Sequence, residues 1–272
     1  MSKMPETTTG SRQRSQRASN SIHWYLLTAG FLAFSISTLV WTGQNSAPPR
    51  WDPADHLRFG LEYYERLRAL DLAGLFEIFF YSTRYYPPFY HLLIGVVALF
   101  TGPNPQAGAV ANLVLLAALM ASLYLLGRRL YSAEAGLVAA LICPCYHINA
   151  ALMHESFIDF ALVCWVGVSL YALERTDGFR SRVGSVCYGL VLAIGVLCKQ
   201  PYVFFMGFPT ALVALSNIRR RESLVNLSWA VAVAALIVLL YTAFTYQRQA
   251  AWADDLALWG DTSIKSPNRP LP

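Results

Sequence analysis

Residues 107–126 read AGAVANLVLLAALMASLYLL and contain no charged side chain. A helix needs about 20 consecutive apolar residues to cross the hydrocarbon core of a bilayer, so this stretch predicts a transmembrane helix. The whole chain of 272 residues has the same character, because 56% of its residues are hydrophobic and 14% are charged. Soluble domains contain about 25% charged residues, so the composition excludes an ordinary soluble enzyme and a disordered chain.

Further apolar segments on both sides of this stretch predict an all-α polytopic membrane protein with about seven transmembrane helices. The seven segments are 23–43, 107–126, 134–150, 156–173, 183–198, 201–216 and 225–246. An eighth apolar stretch, 89–100, contains about a dozen residues, which is too short for a comfortable span. We expect it to form an interfacial or re-entrant helix.

Polar segments flank and interrupt this transmembrane core. Residues 1–22 are rich in Ser, Thr and Arg and predict a disordered cytoplasmic tail. The core then extends over 23–246 and contains a long first outer loop, 44–106. Within that loop, 54–72 has the apolar spacing of three and four residues that indicates an amphipathic surface helix. Residues 247–272 form an outer, or lumenal, tail.

The distribution of basic residues predicts the orientation, because Lys and Arg concentrate on the cytoplasmic side of membrane proteins. With seven spans and the N-terminus inside, 12 of the 21 basic residues but only 5 of the 16 acidic residues lie on the inner side. Making 89–100 a span would move Arg128, Arg129 and Arg219–Arg221 to the outer side. The net charge of +5 therefore reflects membrane topology, and we expect no nucleic-acid partner.

Charged residues at the outer ends of the helices are the candidates for chemistry, because ionisable groups at the edge of an apolar helix need a partner or a wet cavity. In the first outer loop these are Asp52, Asp55 and His56. For Asp52, a purely structural role as a helix cap is an equally good interpretation. Elsewhere they are Arg84, Glu155, Asp159 and Lys199. A carboxylate can act as general base towards an acceptor, and a cation can hold a phosphate leaving group.

Four motifs occur in order over about 50–205. They are Asp52-Pro-Ala-Asp55-His56, the segments 86–93 and 100–102, Leu126-Gly-Arg-Arg-Leu-Tyr131 with the apolar run to Pro144, and His154-Glu-Ser-Phe-Ile-Asp159 followed by Leu197-Cys-Lys199. Their order and spacing resemble the GT-C superfamily of membrane glycosyltransferases. The resemblance is to its protein-mannosyltransferase-like and aminoarabinose-transferase-like branch, glycosyltransferase family 39.

The resemblance implies a transferase that moves a sugar from a polyprenyl-phosphate-linked donor to a protein, lipid or glycan acceptor on the outer or lumenal face. Asp55 then matches the loop acid that serves as general base or binds the acceptor. Asp159 matches a second catalytic acid, and Lys199 matches a lysine that contacts phosphate. Asp52, His56, Arg84 and Glu155 complete the expected substrate-binding set. A divalent metal stays open, since some members use one, and we expect a bacterial cell membrane protein.

This chain departs from the resemblance in ways that leave a second function open. His56 stands where relatives often have a second acid, and Tyr86 stands where some have a lysine. Most members are longer, so we expect an N-terminal core whose outer tail is truncated. The alternative is a non-catalytic subunit or degenerate paralogue that binds lipid or a partner subunit. A transporter is disfavoured, because no inverted repeat pairs the spans.

Overall fold

The computed structural model describes residues 8–45, 49, 51–80 and 86–249. Within these ranges the protein is all-helical, with eleven α-helices, one 3₁₀ turn and no strand, which confirms the all-α part of the predicted fold class. The helices are α1 Thr8–Gln44, α2 Asp52–Arg68, α3 Leu72–Phe80, α4 Phe89–Thr101, α5 Ala107–Leu130, α6 Ala133–Ile142, α7 His147–Met153, α8 Ile158–Arg175, α9 Arg182–Cys198, α10 Tyr202–Ser216 and α11 Arg221–Gln249.

Three helices of the described ranges are long and apolar enough to cross a membrane by length and composition. They are Ser21–Gln44, Ala107–Leu130 and Arg221–Tyr246. The helices Phe89–Thr101, Arg182–Cys198 and Tyr202–Ser216 are apolar but shorter. The number of seven spans therefore stays a prediction, while the membrane character of the chain agrees with these helices.

The predicted span 134–150 is not one uninterrupted helix, because the structure breaks it at a proline. Ala133–Cys145 and His147–Met153 meet at an angle of 66°, and the 3₁₀ turn Cys143–Cys145 lies at the break. Pro144 has no N–H to donate, and its ring clashes with the carbonyl one turn earlier, so the α-helix cannot continue through it. Together the two pieces form a broken span or a re-entrant loop.

The first helix begins earlier than the predicted span. The segment 1–22 was expected to be disordered, but α1 continues back to Thr8, and residues 1–7 lie outside the described ranges. Arg, Gln and Ala are good helix formers, and no proline interrupts the sequence between Thr8 and Gln44. The polar residues therefore extend the helix that the apolar segment forms.

Helix α5 lies at the centre of the bundle and packs against α1, α4, α6 and α8. The first outer loop folds onto this centre through α2, which lies along α4. The two helices approach closely at Gly95, where an added Cβ would lie only 2.9 Å from the backbone nitrogen of Tyr64. This contact fixes the loop helix, and the residues at its start, against the bundle.

Candidate functional site

The antiparallel order of the helices brings most of the predicted site residues to one end of the bundle. Helix α8 begins at Ile158, so Asp159 lies in its first turn, and Lys199 directly follows the last residue of α9. Because α8 packs against both α5 and α9, the starts of α5 and α8 and the end of α9 lie at this end. We call it the Asp52 end, after the carboxylate at the start of α2.

Asp159 and Lys199 form an ion pair, in which Lys199 Nζ donates to Asp159 Oδ1 at 2.5 Å. The lysine side chain is 17% exposed and the aspartate side chain 44%. The N-terminal turn of α8 favours a negative charge, and Asp159 lies there. The two sequence-predicted residues are therefore brought together, 40 positions apart in the chain.

Asp52 begins α2, with Pro53 in the first turn, and its carboxylate is oriented by a tyrosine. The hydroxyl of Tyr86 donates to Asp52, 3.1 Å from Oδ1 and 3.0 Å from Oδ2. The Asp52 side chain remains 43% exposed. The carboxylate is thus held in a defined direction while staying accessible to a ligand.

His56 is buried one turn after Asp52 and pairs with a second histidine. Its Nδ1 lies 2.9 Å from Nε2 of His91 in α4, while its Nε2 lies 3.8 Å from Asp52 Oδ2, which is beyond hydrogen-bonding distance. Burial lowers the pKa of His56 to about 4, although the charge of Asp52 opposes this shift. The imidazole is therefore neutral at physiological pH.

The charges of Lys199 and Asp159 also act on the pKa of His56, the first lowering it and the second raising it. The ion pair and the Asp52–His56 pair therefore belong to one electrostatic neighbourhood. Sequence reasoning missed His91 as a member of this cluster. His91 ends the segment Tyr-Pro-Pro-Phe-Tyr-His, which is one of the motifs that resemble the GT-C superfamily, and its polar side chain in an apolar segment could have marked it as a candidate.

A cavity of about 610 Å³ opens beside Asp52 at this end of the molecule. Two of the predicted site residues, Asp52 and Glu155, line it together with the neighbouring His154. The rest of its described wall comes from the end of α1, the start of α2 and the turns before α5 and α8: Trp41, Thr42, Asn45, Pro49, Trp51, Pro53, Pro105, Gln106, Ser156 and Phe157. Carboxylates beside tryptophan rings form a wall that can bind a polar ligand with an apolar face.

Asp55 takes a different position from Asp52, although only two residues separate them. Its side chain is 59% exposed and accepts a hydrogen bond from Arg58 Nη2 at 3.3 Å. The described wall of the cavity includes Asp52 but not Asp55. The predicted role of Asp55 as general base stays a prediction. Arg84 lies outside the described residues.

Within the described ranges, no three His, Cys, Asp or Glu side chains converge in a way that could hold a metal ion. Asp52, His56 and His91 lie close together, but His56 directs one nitrogen to His91 and holds the other 3.8 Å from the carboxylate of Asp52. We therefore assign no residue to a metal.

The apolar helices and the charged residues clustered at one end of the bundle are those of a membrane protein with a polar site, and comparison with known proteins gives the family. Residues 86–246 match the model of the dolichyl-phosphate-mannose-protein mannosyltransferase family. This match covers more than half of the chain, which therefore belongs to that family. The matched range includes Tyr86, His91, Glu155, Asp159 and Lys199, whereas the first-loop aspartates precede it. No curated protein and no solved structure matches the chain.

Proposed function

We propose that the protein transfers a sugar from a polyprenyl-phosphate-linked donor to an acceptor protein, lipid or glycan at the outer or lumenal membrane face. One observation supports this most strongly. A cavity wall contains an accessible, oriented carboxylate, Asp52, at the same end of the bundle as the Asp159–Lys199 ion pair. Transfer from a phosphate-linked sugar needs a base for the acceptor and a cation for the departing phosphate, and this end of the bundle supplies both.

Asp52 is the proposed general base. Its carboxylate takes the proton of an acceptor hydroxyl or amine while that oxygen or nitrogen bonds to the anomeric carbon of the donor sugar. The bond between the anomeric carbon and the phosphate oxygen breaks, and the lipid phosphate leaves with the electron pair, so the anomeric configuration inverts. Tyr86 keeps the carboxylate oriented through its hydrogen bonds to both oxygens. Asp55, which faces Arg58, is the competing candidate.

Lys199 is the proposed contact for the donor phosphate. An ammonium group has three donors, and Asp159 accepts one of them, so the others can meet phosphate oxygens. In this arrangement Asp159 orients the ammonium group instead of acting on the sugar directly. Glu155 in the cavity wall is the proposed contact for sugar or acceptor hydroxyls. His56 supports Asp52 from the buried side.

The proposed membrane placement follows from the charge distribution. Seven spans with the N-terminus in the cytoplasm put the Asp52 end on the outer face of a bacterial cell membrane, and the basic turns after α5 and α8 inside. The shorter apolar helices α9 and α10 then act as spans, and α4 lies beneath α2 as an interfacial helix. A partner subunit can complete the acceptor side.

Asp52→Asn and Asp55→Asn are matched substitutions that test the proposal, because the two aspartates have the same chemistry but different positions relative to the cavity. The purified chain in lipid nanodiscs is given labelled dolichyl-phosphate mannose, and transfer or release of the sugar is measured. Losing a general base costs about 100-fold or more in rate. We expect that loss for Asp52→Asn and less than about a twofold change for Asp55→Asn, since exposed surface residues contribute little.

The reverse result, with activity lost only in Asp55→Asn, would assign the role of general base to Asp55. A native chain that binds the labelled donor but never transfers or releases the sugar would support the non-catalytic alternative. Folding of each variant is checked by its elution volume and thermal transition, so that a loss of rate is not confused with a loss of protein.

A further inference from the structure

Asn112 is a fully buried amide in the second turn of α5, and it connects three separate parts of the chain. Its Oδ1 accepts a hydrogen bond from the hydroxyl of Tyr90 at 3.0 Å. Its Nδ2 lies 2.7 Å from the carbonyl oxygen of Glu155 and 3.3 Å from those of Leu152 and Met153. An amide nitrogen has two hydrogens, so the three carbonyls share them.

These bonds join the two walls of the cavity. On one side, Tyr90 lies in α4 next to His91, which pairs with His56 of α2, one turn from Asp52. On the other side, the carbonyl of Glu155 belongs to the segment 154–157, which lines the cavity. Asn112 does not line the described cavity itself, so any effect it has on the cavity must pass through these neighbours.

A glycine one turn earlier on α5 contacts the same segment. Gly108 and Asn112 are four residues apart and therefore share one face of the helix. A Cβ added at Gly108 would lie 2.6 Å from the Cβ and 3.0 Å from the Cα of Ser156. Because the second of these is a backbone atom, the segment would have to move to make room. This packing contact is independent of the hydrogen bonds of Asn112.

We propose that the Gly108–Asn112 face of α5 is a positioning element that sets the place of Glu155 relative to Asp52 across the cavity. Gly108 lets the segment 154–157 approach α5, and Asn112 holds it there while also holding α4. The role in transfer rests on the proposed function above. The placement of the segment does not rest on that function, so the placement and the role in transfer can be tested separately.

The first test measures hydrogen–deuterium exchange of the segment in the full chain in nanodiscs, without any substrate. Asn112→Leu removes the amide at similar volume, and Gly108→Ala displaces the segment while leaving the amide in place. Loss of buried hydrogen bonds or of packing lowers the local opening free energy, so we expect about tenfold faster exchange in peptides covering 152–158. Peptides from α11 should be unchanged.

Ser122→Ala provides the matched control for this test. Ser122 is also a small buried polar residue of α5, and it lies ten residues beyond Asn112, or about 15 Å along the helix. We expect its exchange pattern to equal that of the native chain. Unchanged exchange at 152–158 in both Asn112→Leu and Gly108→Ala would overturn the proposal. If Asn112→Leu does not fold, Gly108→Ala decides the question alone.

The second test uses the release of labelled mannose from dolichyl-phosphate mannose. Moving Glu155 away from Asp52 should lower kcat about tenfold in either variant, while the affinity for dolichyl phosphate, which carries no sugar, stays within about twofold, because Lys199 is untouched. A merely structural role would lower the amount of folded protein but not kcat per folded molecule. Faster exchange with unchanged kcat would overturn the positioning role. No release by the native chain would count against the proposed function, and the exchange result would still decide the placement of the segment.

Discussion

The two ends of the helical bundle both contain charged residues, but the charges are used differently. At the Asp52 end, Lys199 is mostly buried beside Asp159, and His56 is buried beside Asp52 and His91. At the opposite end, the pairs Arg129–Glu174 and Arg180–Asp177 lie where α5, α8 and α9 turn. We call this second region the Arg129 end. Its paired side chains are between about one third and three fifths exposed.

The difference shows which charges are candidates for chemistry. Burying a charge or an imidazole is costly unless the site gains something from it, whereas exposed ion pairs cost and contribute little. The Arg129 end has the exposed, basic character that topology alone explains. The Asp52 end has buried, converging polar groups beside a cavity, which topology does not explain. The comparison therefore supports the proposal that the functional site lies at the Asp52 end.

Removing the cation at the Asp52 end should have the largest effect of the substitutions that test this comparison. A hydrogen bond to a charged group contributes about 1.5–3 kcal/mol, which corresponds to about 10- to 100-fold in affinity. We expect Lys199→Gln to weaken binding of labelled dolichyl-phosphate mannose by that factor, measured by filter binding in nanodiscs. Arg128→Gln, at the Arg129 end, should leave binding within about twofold. Equal losses of binding affinity in Lys199→Gln and Arg128→Gln would contradict the proposed difference between the two ends.

The buried His56 at the Asp52 end should make the stability of the fold depend on pH. The pKa of His56 is lowered by burial from 6.5 to about 4, so its neutral form stabilises the fold above pH 6.5. This stability is lost as pH falls from 6.5 towards 4, because the unfolded chain binds the proton first. At pH 5 the loss is about 2 kcal/mol relative to pH 7.5.

The check is thermal unfolding in detergent at the two pH values. His56→Gln should flatten the dependence on pH, and a variant of the exposed His147, His147→Gln, should leave it as in the native chain. The acidic groups that act on His56 are Asp52, Asp55 and Asp159, and they stay the same in both variants. A native chain that is equally stable at pH 5 and pH 7.5 would contradict the buried, neutral state of His56.

The smallest effect is expected at the Arg129 end. Arg129 Nε lies 3.4 Å from Glu174 Oε1, and the pair is partly exposed. Exposed pairs contribute less than about 1 kcal/mol, so Arg129→Ala should shift the thermal transition only slightly and leave sugar transfer unchanged. A shift as large as that of His56→Gln would mean that this end, too, depends on its charges.

Much of the fold could be predicted from local patterns. The apolar segments 107–126, 183–198 and 201–216 became α5, α9 and α10 with ends displaced by only a few residues. The pairing of Asp159 with Lys199 at one end also follows from antiparallel spans. The bend at Pro144 was missed because the apolar run continues through it, and hydrophobicity does not report a missing N–H.

The details of the site could not be predicted in the same way. Whether Asp52 or Asp55 faces the cavity depends on the rotation of α2, and three residues turn a helix by most of a full turn. That rotation is set by the contact of α2 with α4, not by the sequence around the aspartates. The His56–His91 pair and the bonds of Asn112 join residues 22 to 43 positions apart, which no local spacing indicates.

The measurement that tests the central claim most directly is photo-crosslinking of a lipid-linked donor. A dolichyl-phosphate mannose with a photoreactive group near the phosphate is bound to the chain in nanodiscs, irradiated, and mapped by mass spectrometry of peptides. We expect competition-sensitive crosslinks in peptides covering 51–60, 154–160 and 196–203, at the Asp52 end. Crosslinks confined to 128–134 and 174–184, at the Arg129 end, would contradict the account.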